Sequence, residues 1–252
     1  MSNPFGVKAL EDAGVAHIMT RFWRNDSIVE SPLQSWSGDT SRVMSLTQNR
    51  RSGADEWFSY ILTCCRMGNL SNTQYNFLHG FPVFCVSIGL MLKDTIEHAV
   101  VYDPIKQELF TASNGQGAHL DGKRIRVSGE KFISRSLIGT GFPYRKSNKN
   151  PDHYMAMLKQ VINKTAGVRR PGAAAIDLCY VAAGRLDGFW ETGLSIWDIA
   201  AGALIIQESG GIITDINGSS NYLETGDVLC GTPRIHSKLQ QLLIETSHQD
   251  NN

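Results

Sequence analysis

The chain has 252 residues, 42% of them hydrophobic, with 24 basic and 24 acidic side chains and a formal net charge of +0. That length buries a core in one large domain or in two closely joined lobes, and the charge balance lacks the basic excess of a general nucleic-acid binder. The longest apolar run, FPVFCVSIGLML from Phe81, is too short to span a bilayer, and MSNPFGVKALEDAG lacks the charged start and apolar centre of a secretory signal, so a cytoplasmic protein outside the membrane is expected.

Along the chain, Val7, Leu10, Ala13, Val15, Ile18 and Phe22 recur at helical spacing and predict a helix from about Val7 to Trp23. The stretch up to Tyr75 is rich in Ser, Arg, Asn and Thr and shows weak periodicity; WFSYILTCC within it reads as a strand or a short buried helix. From Asn76 the pattern sharpens. FPVFCVSIGLMLKD and IEHAVVYDPIKQELFTASN read as long strands with DPIKQ as a turn, and the DG of GQGAHLDGKRIRVS favours a tight hairpin. HYMAMLKQVINKT is an amphipathic helix. GAAAIDLCYVAAGR is apolar enough to be a buried helix ending near Gly184, and IWDIAAGALIIQESGG is another, closed by Gly210 and Gly211. GIITDING and DVLCGTP read as strands and RIHSKLQQLLIETS as a closing amphipathic helix. Strands first and helices mixed with strands later predict a layered α/β chain with an antiparallel sheet in its first lobe.

The five cysteines are Cys64, Cys65, Cys85, Cys179 and Cys230. Their odd number and the absence of a CxxC pair favour plain thiols over a zinc site. Two helix starts carry more chemistry. In RRPGAAAIDL, a helix opening on Gly172, Ala173 and Ala174 exposes backbone N–H groups that attract an anion such as phosphate, with Arg169 and Arg170 beside it; an ordinary buried helix begun by Pro171 reads the same way. At Trp197-Asp198 the acid heads an apolar stretch. It caps the helix and meets its dipole, worth about 0.3–1 kcal/mol, or pairs with an arginine, or binds a metal ion. Glu191, in GFWETG, is a second acid among apolar neighbours, suited to accept a sugar hydroxyl or to face solvent.

Four segments, NFLHGFPVFCVSI, ELFTASNGQGAHLDGKRIRVS, RRPGAAAIDLCYVAAGRLDGFWE and WDIAAGALIIQESGG, occur in an order and spacing that resembles the inositol monophosphatase family, and its bacterial extragenic-suppressor branch most closely. The resemblance runs from about Asn76 to Leu243. It implies an α/β (α+β) layered αβαβα sugar-phosphatase fold, with an antiparallel sheet in the first lobe and a mixed sheet in the second. It divides the chain into an atypical N-terminal segment, 1–75, and a family region, 76–252, whose first lobe ends near 140 and whose second covers about 141–252. It also implies a homodimer and Mg²⁺-dependent, lithium-sensitive hydrolysis of inositol 1-phosphate or a similar sugar phosphate. By residue, Asp198 matches a metal-binding acid; Gly172, Ala173 and Ala174 match the helix start that meets substrate; Arg169 matches a substrate-contacting arginine; and Glu191 matches the acid that meets an inositol hydroxyl. The same branch is associated with ribosomal RNA transcription and antitermination, which makes a non-catalytic partner of the transcription machinery the second expectation. A phosphatase of another sugar phosphate is the third.

The first lobe departs from the family. The family supplies a glutamate from a GEE or EES segment, then two aspartates and a threonine from DPLDGTTNF. Here the NF stands as Asn76-Phe77, and counting back without gaps sets the two aspartates on Asn69 and Asn72 and the first threonine on Gln74. Asp55 and Glu56 are the nearest acids, at a spacing that does not fit. Mg²⁺ takes oxygen ligands with one or two carboxylates, so a neutral amide at two of these places predicts impaired catalysis. Three origins stay open for residues 1–75: a divergent lobe that keeps binding, a segment read in a shifted frame, or an intact lobe with its acids elsewhere. The abrupt change at Asn76 favours the shifted frame.

Overall fold

The computed structural model describes residues 45–51, 57–63, 76, 79–92, 94–142 and 151–249, the backbone alone in the first two stretches and in 245–249. The expected helix from Val7 to Trp23, Cys64, Cys65, Asp55, Glu56, Asn69, Asn72 and Gln74 lie outside the described residues.

Seven strands form the first sheet in chain order: β1 (Ser45–Arg51), β2 (Trp57–Thr63), β3 (Val86–Leu92), β4 (Thr95–Asp103), β5 (Glu108–Ser113), β6 (Gly117–Leu120) and β7 (Lys123–Arg124). Every neighbouring pair is antiparallel. WFSYILT, the described part of WFSYILTCC, thus resolves as a strand. The strand read from Phe81 begins only at Val86, because Phe81 N–H and the Val83 carbonyl are bonded to Asn76 instead of to a neighbouring strand. In the DPIKQ turn the buried Asp103 carboxylate accepts the Ile105 and Lys106 N–H groups and pairs with the Lys106 ammonium at 2.9 Å, an Asx-type turn that its sequence encodes locally. At the β6–β7 hairpin, Asp121 and Gly122 take φ of 50° and 75°, the two left-handed positions that select Asp-Gly.

The second sheet is mixed and has the order β11-β12-β10-β8-β9, from β8 (Leu137–Thr140), β9 (Gly167–Arg169), β10 (Gly188–Glu191), β11 (Ile212–Thr214) and β12 (Val228–Gly231). β10 is parallel to β8 and antiparallel to β12. The change of sheet falls between Arg124 and Leu137, so β8 already belongs to the second sheet. Among the described residues, the α-helices that follow the pattern of glycine stops and apolar faces are α1 (Pro151–Lys164), α2 (Ala174–Ala182), α3 (Ile196–Glu208), the single turn α4 (Tyr222–Thr225) and α5 (Pro233–Gln249).

Alternation along the second sheet separates two cores. Phe189, Cys230 and Ile213 face α2, α3 and the first sheet, while Ile138, Trp190 and Leu229 face α1 and α5. The described layers are therefore antiparallel sheet, helices α2 and α3, mixed sheet, helices α1 and α5, which are four of the five layers of αβαβα. Residues Ile199 to Ile206 of α3 are buried without a break, as a helix apolar on every side must be when it lies between two sheets. The Glu208 carboxylate at the end of α3 accepts the Gly115 N–H at 2.8 Å and the Gly117 N–H at 2.5 Å, which fastens the β5–β6 hairpin to the helix layer. Glu208→Ala is expected to cost about 1.5–3 kcal/mol, the range for hydrogen bonds to a charged group, measured as a lower urea midpoint. Cys85, Cys179 and Cys230 are buried in the first core. Among the described residues no helix is long and apolar enough to cross a membrane.

Candidate functional site

The PGAAA segment does not open as a helix at Gly172. Gly172 has a φ of 88°, Ala173 is the N-cap, and the first helical residue is Ala174. The physical reason is the left-handed turn at Gly172, which lets its carbonyl and that of Pro171 face the Asn76 side chain. The Asn76 amide donates to the carbonyls of Val83 at 2.9 Å and Pro171 at 3.1 Å, with Gly172 at 3.4 Å, so Asn76 ties the segment before β3 to the start of α2. The N–H groups of Ala174 and Ala175, in the first turn, are beyond the reach of any carbonyl of their own helix, the arrangement that suits an anion at a helix start.

One residue inside that end was not singled out in the sequence reading. Asp177, 1% exposed, sits one turn into α2, and its Oδ1 has no hydrogen-bond partner. Burial, and then the neighbouring charge of Glu191, push its carboxyl well above the ordinary carboxylate value; the Ala173 N–H and the Arg170 guanidinium oppose them. The signal was present as a lone acid within AAIDLCYVA. A carboxyl raised in this way holds its proton more tightly folded than unfolded. Stability should therefore decline as pH rises above the ordinary value of 3.8, until the raised value is passed. Asp177→Asn is expected to raise the urea midpoint at neutral pH and to flatten that decline, measured from about pH 4 to about pH 8.

The two arginines part company. Arg169 is exposed and its guanidinium turns back to the Val168 carbonyl at 3.0 Å. Arg170 lies on the inner side: its guanidinium stands 5.1 Å from the centre of the Phe142 ring, and a side-chain carbon at Gly172 would lie 3.5 Å from its Nη1. Successive residues of a strand point to opposite faces, and Arg169 closes β9 with Arg170 next, so only one of them can turn toward α2.

Glu191 ends β10 and is 7% exposed. β10 packs against α2, and the charge of Glu191 acts on Asp177 in the first turn of that helix. Asp198 is the third residue of α3, half-buried, and its Oδ2 accepts the Ser195 N–H at 3.0 Å. The capping role is thus realised on one oxygen. The arrangement offers backbone donors for a phosphate at the α2 start, a buried acceptor for a hydroxyl at Glu191, and a further carboxylate at Asp198. Among the described residues no group of three or more His, Cys, Asp or Glu could hold a metal ion. A divalent cation needs several converging oxygens. The described residues, with Asp198 as the one proposed ligand, do not by themselves fit Mg²⁺.

Comparison with known proteins is specific over the same span. Residues 74–252 match the model of the inositol monophosphatase family. The Nus factor SuhB of Pseudomonas aeruginosa is 53% identical over 165 residues, 65% of this chain. That match spans only 61% of the relative's length, and a putative Nus factor SuhB of Neisseria meningitidis, 48% identical, is matched over 64% of its length. Among solved structures, the extragenic suppressor protein suhB of Bartonella henselae superposes with a TM-score of 0.68 at 40% identity, covering 74% of this chain and 70% of that one. The inositol monophosphatase of Anabaena gives 0.65 at 39% identity, covering 69% and 71%.

Proposed function

Because the chain belongs to the inositol monophosphatase family, we propose that it recognises inositol 1-phosphate or a similar sugar phosphate at the start of α2, and that Mg²⁺-dependent hydrolysis of the ester is impaired. The supporting observation is the buried Glu191 at the end of β10, a strand packed against α2, with its charge felt by Asp177 in the first turn of that helix. An anion-facing helix end and a buried hydroxyl acceptor stand together there, as a phosphorylated polyol requires. In this reading the Ala174 and Ala175 N–H groups meet the phosphate beside Ala173, whose own N–H is held by Asp177, Gly172 keeps the approach open, Arg169 adds charge from the solvent side, Glu191 accepts a ring hydroxyl, and Asp198 is a metal ligand. Hydrolysis is impaired because Asn69, Asn72 and Gln74 stand where the family pattern has two acids and a threonine. The lobe division, the homodimer and the cytoplasmic location belong to the same reading.

Calorimetric titration of inositol 1-phosphate in Mg²⁺ tests it. Saturable binding is expected, weakened about tenfold by Glu191→Gln, the loss of one charge-assisted hydrogen bond. Absence of binding by the unsubstituted chain contradicts it. The names of the Pseudomonas and Neisseria relatives favour a second reading, a non-catalytic partner of the antitermination machinery. Retained binding to transcription proteins with no sugar-phosphate binding would select that reading. The gene sequence over codons 40–76 tests the shifted frame: another frame encoding DPLDGT would establish it, and its absence from all frames would remove it.

A further inference from the structure

The parallel strands β8 and β10 are in register through Thr140 and Trp190. One residue further, at the C-terminal ends of both strands, stand Gly141 and Glu191. In open α/β sheets, this end of parallel strands is where ligands bind. A side-chain carbon built on Gly141 would overlap the carboxyl carbon and both oxygens of Glu191. The Glu191 head group therefore occupies the place where any other residue at 141 would put its Cβ. The φ of Gly141 is not positive, so the backbone there does not itself demand glycine.

The walls of this place are fixed from the other side of the sheet. Thr140 Oγ1 donates to the Trp190 carbonyl at 2.9 Å and lies 2.5 Å from the Tyr154 hydroxyl, which also meets the Gly141 carbonyl. Tyr154 is 3% exposed and stacks on Trp190, with ring centres 6.2 Å apart. Strand ends pinned in this way cannot spread to admit a methyl group beside the carboxylate.

We propose that Gly141 is a specificity-determining positioning residue: its missing side chain is the seat that holds the Glu191 carboxylate at the polyol end of the site. The inference rests on the reading of Glu191 as a hydroxyl acceptor. A methyl group at 141 moves the carboxylate away from the ring hydroxyls and leaves the phosphate donors of α2 in place. Gly141→Ala should thus separate recognition of the polyol from recognition of the phosphate.

Calorimetry on the whole chain reads this with two probes, inositol 1-phosphate and inorganic phosphate. In Gly141→Ala the dissociation constant for inositol 1-phosphate is expected to rise about tenfold or more, and that for inorganic phosphate to change less than about twofold. Equal changes for both probes, or none, overturn the specificity role. A stability cycle reads the seat without any ligand. Gly141→Ala lowers the melting temperature, and the double variant with Glu191→Ala melts with Glu191→Ala alone, since the methyl then fills vacated space. Strictly additive shifts overturn the seat. If Gly141→Ala does not fold, a folded double variant supports the seat and an unfolded one overturns it. Failure of the unsubstituted chain to bind inositol 1-phosphate overturns the underlying reading and the specificity role together, while the cycle still decides the seat.

Discussion

Incubated with inositol 1-phosphate and Mg²⁺, this chain is expected to release phosphate about 10²–10⁴-fold more slowly than the Anabaena inositol monophosphatase, the range for loss of general-base assistance. The deficit follows from charge. On the ungapped count back from Asn76, the proposed places of the family's two aspartates are held by the neutral amides Asn69 and Asn72, and that of the threonine by Gln74. Amides offer carbonyl oxygens without the negative charge that keeps a dication dehydrated and in place. Asp198 cannot compensate alone, and one of its oxygens is already held by the Ser195 N–H. Rates equal to those of the Anabaena enzyme, lost in Asp198→Asn, would mean that other acids complete the site.

Gly202→Val is expected to destabilise the chain by about 3 kcal/mol or more, with Gly202→Ala at about 1–3 kcal/mol, as overpacking of a full core costs. Gly202 is where α3 crosses α2. A Cβ there would stand 2.5 Å from Leu178 Cδ1 and 2.7 Å from Leu178 Cβ. Rotation of Leu178 removes the first clash. It cannot remove the second, so the helices must separate. Ala recovers part of the cost through helix propensity, about 1 kcal/mol over glycine, whereas branched Val does not. Both helices carry residues of the candidate site, Asp177 on α2 and Asp198 on α3. Urea midpoints order the three proteins; a Val variant as stable as the parent would contradict the close crossing.

The long elements were legible in the sequence because each carries its own period and stop signal. Asp121-Gly122 announces its hairpin, Gly184 and Gly210 close their helices with φ of 70° and 85°, and the unbroken apolar run of α3 announces a helix buried on all sides. Three strands of the second sheet, β8, β9 and β10, were not legible. β8, β9 and β10 have four, three and four residues, too few to show a period of two, and β10 is buried throughout.

The site divides in the same way. Asp198 and the PGAAA start are local signals, and the sequence placed them within two residues of where they fall. The inner position of Arg170 depends on how β9 lies in the sheet, and adjacent arginines do not reveal which one faces inward. Gly141 is silent for a related reason: its meaning is set by a residue fifty positions away, brought beside it by strand pairing. Asp177 was legible in principle, as an acid inside an apolar helix, since a carboxyl in that setting must be paired, protonated or functional.

A crystal structure of the chain soaked with inositol 1-phosphate tests the account most directly. The account predicts the phosphate against the N–H groups of Ala174 and Ala175 and a ring hydroxyl within hydrogen-bond distance of Glu191, with that carboxylate still seated over Gly141. A ligand bound elsewhere, or one whose ring points away from Glu191, would contradict it.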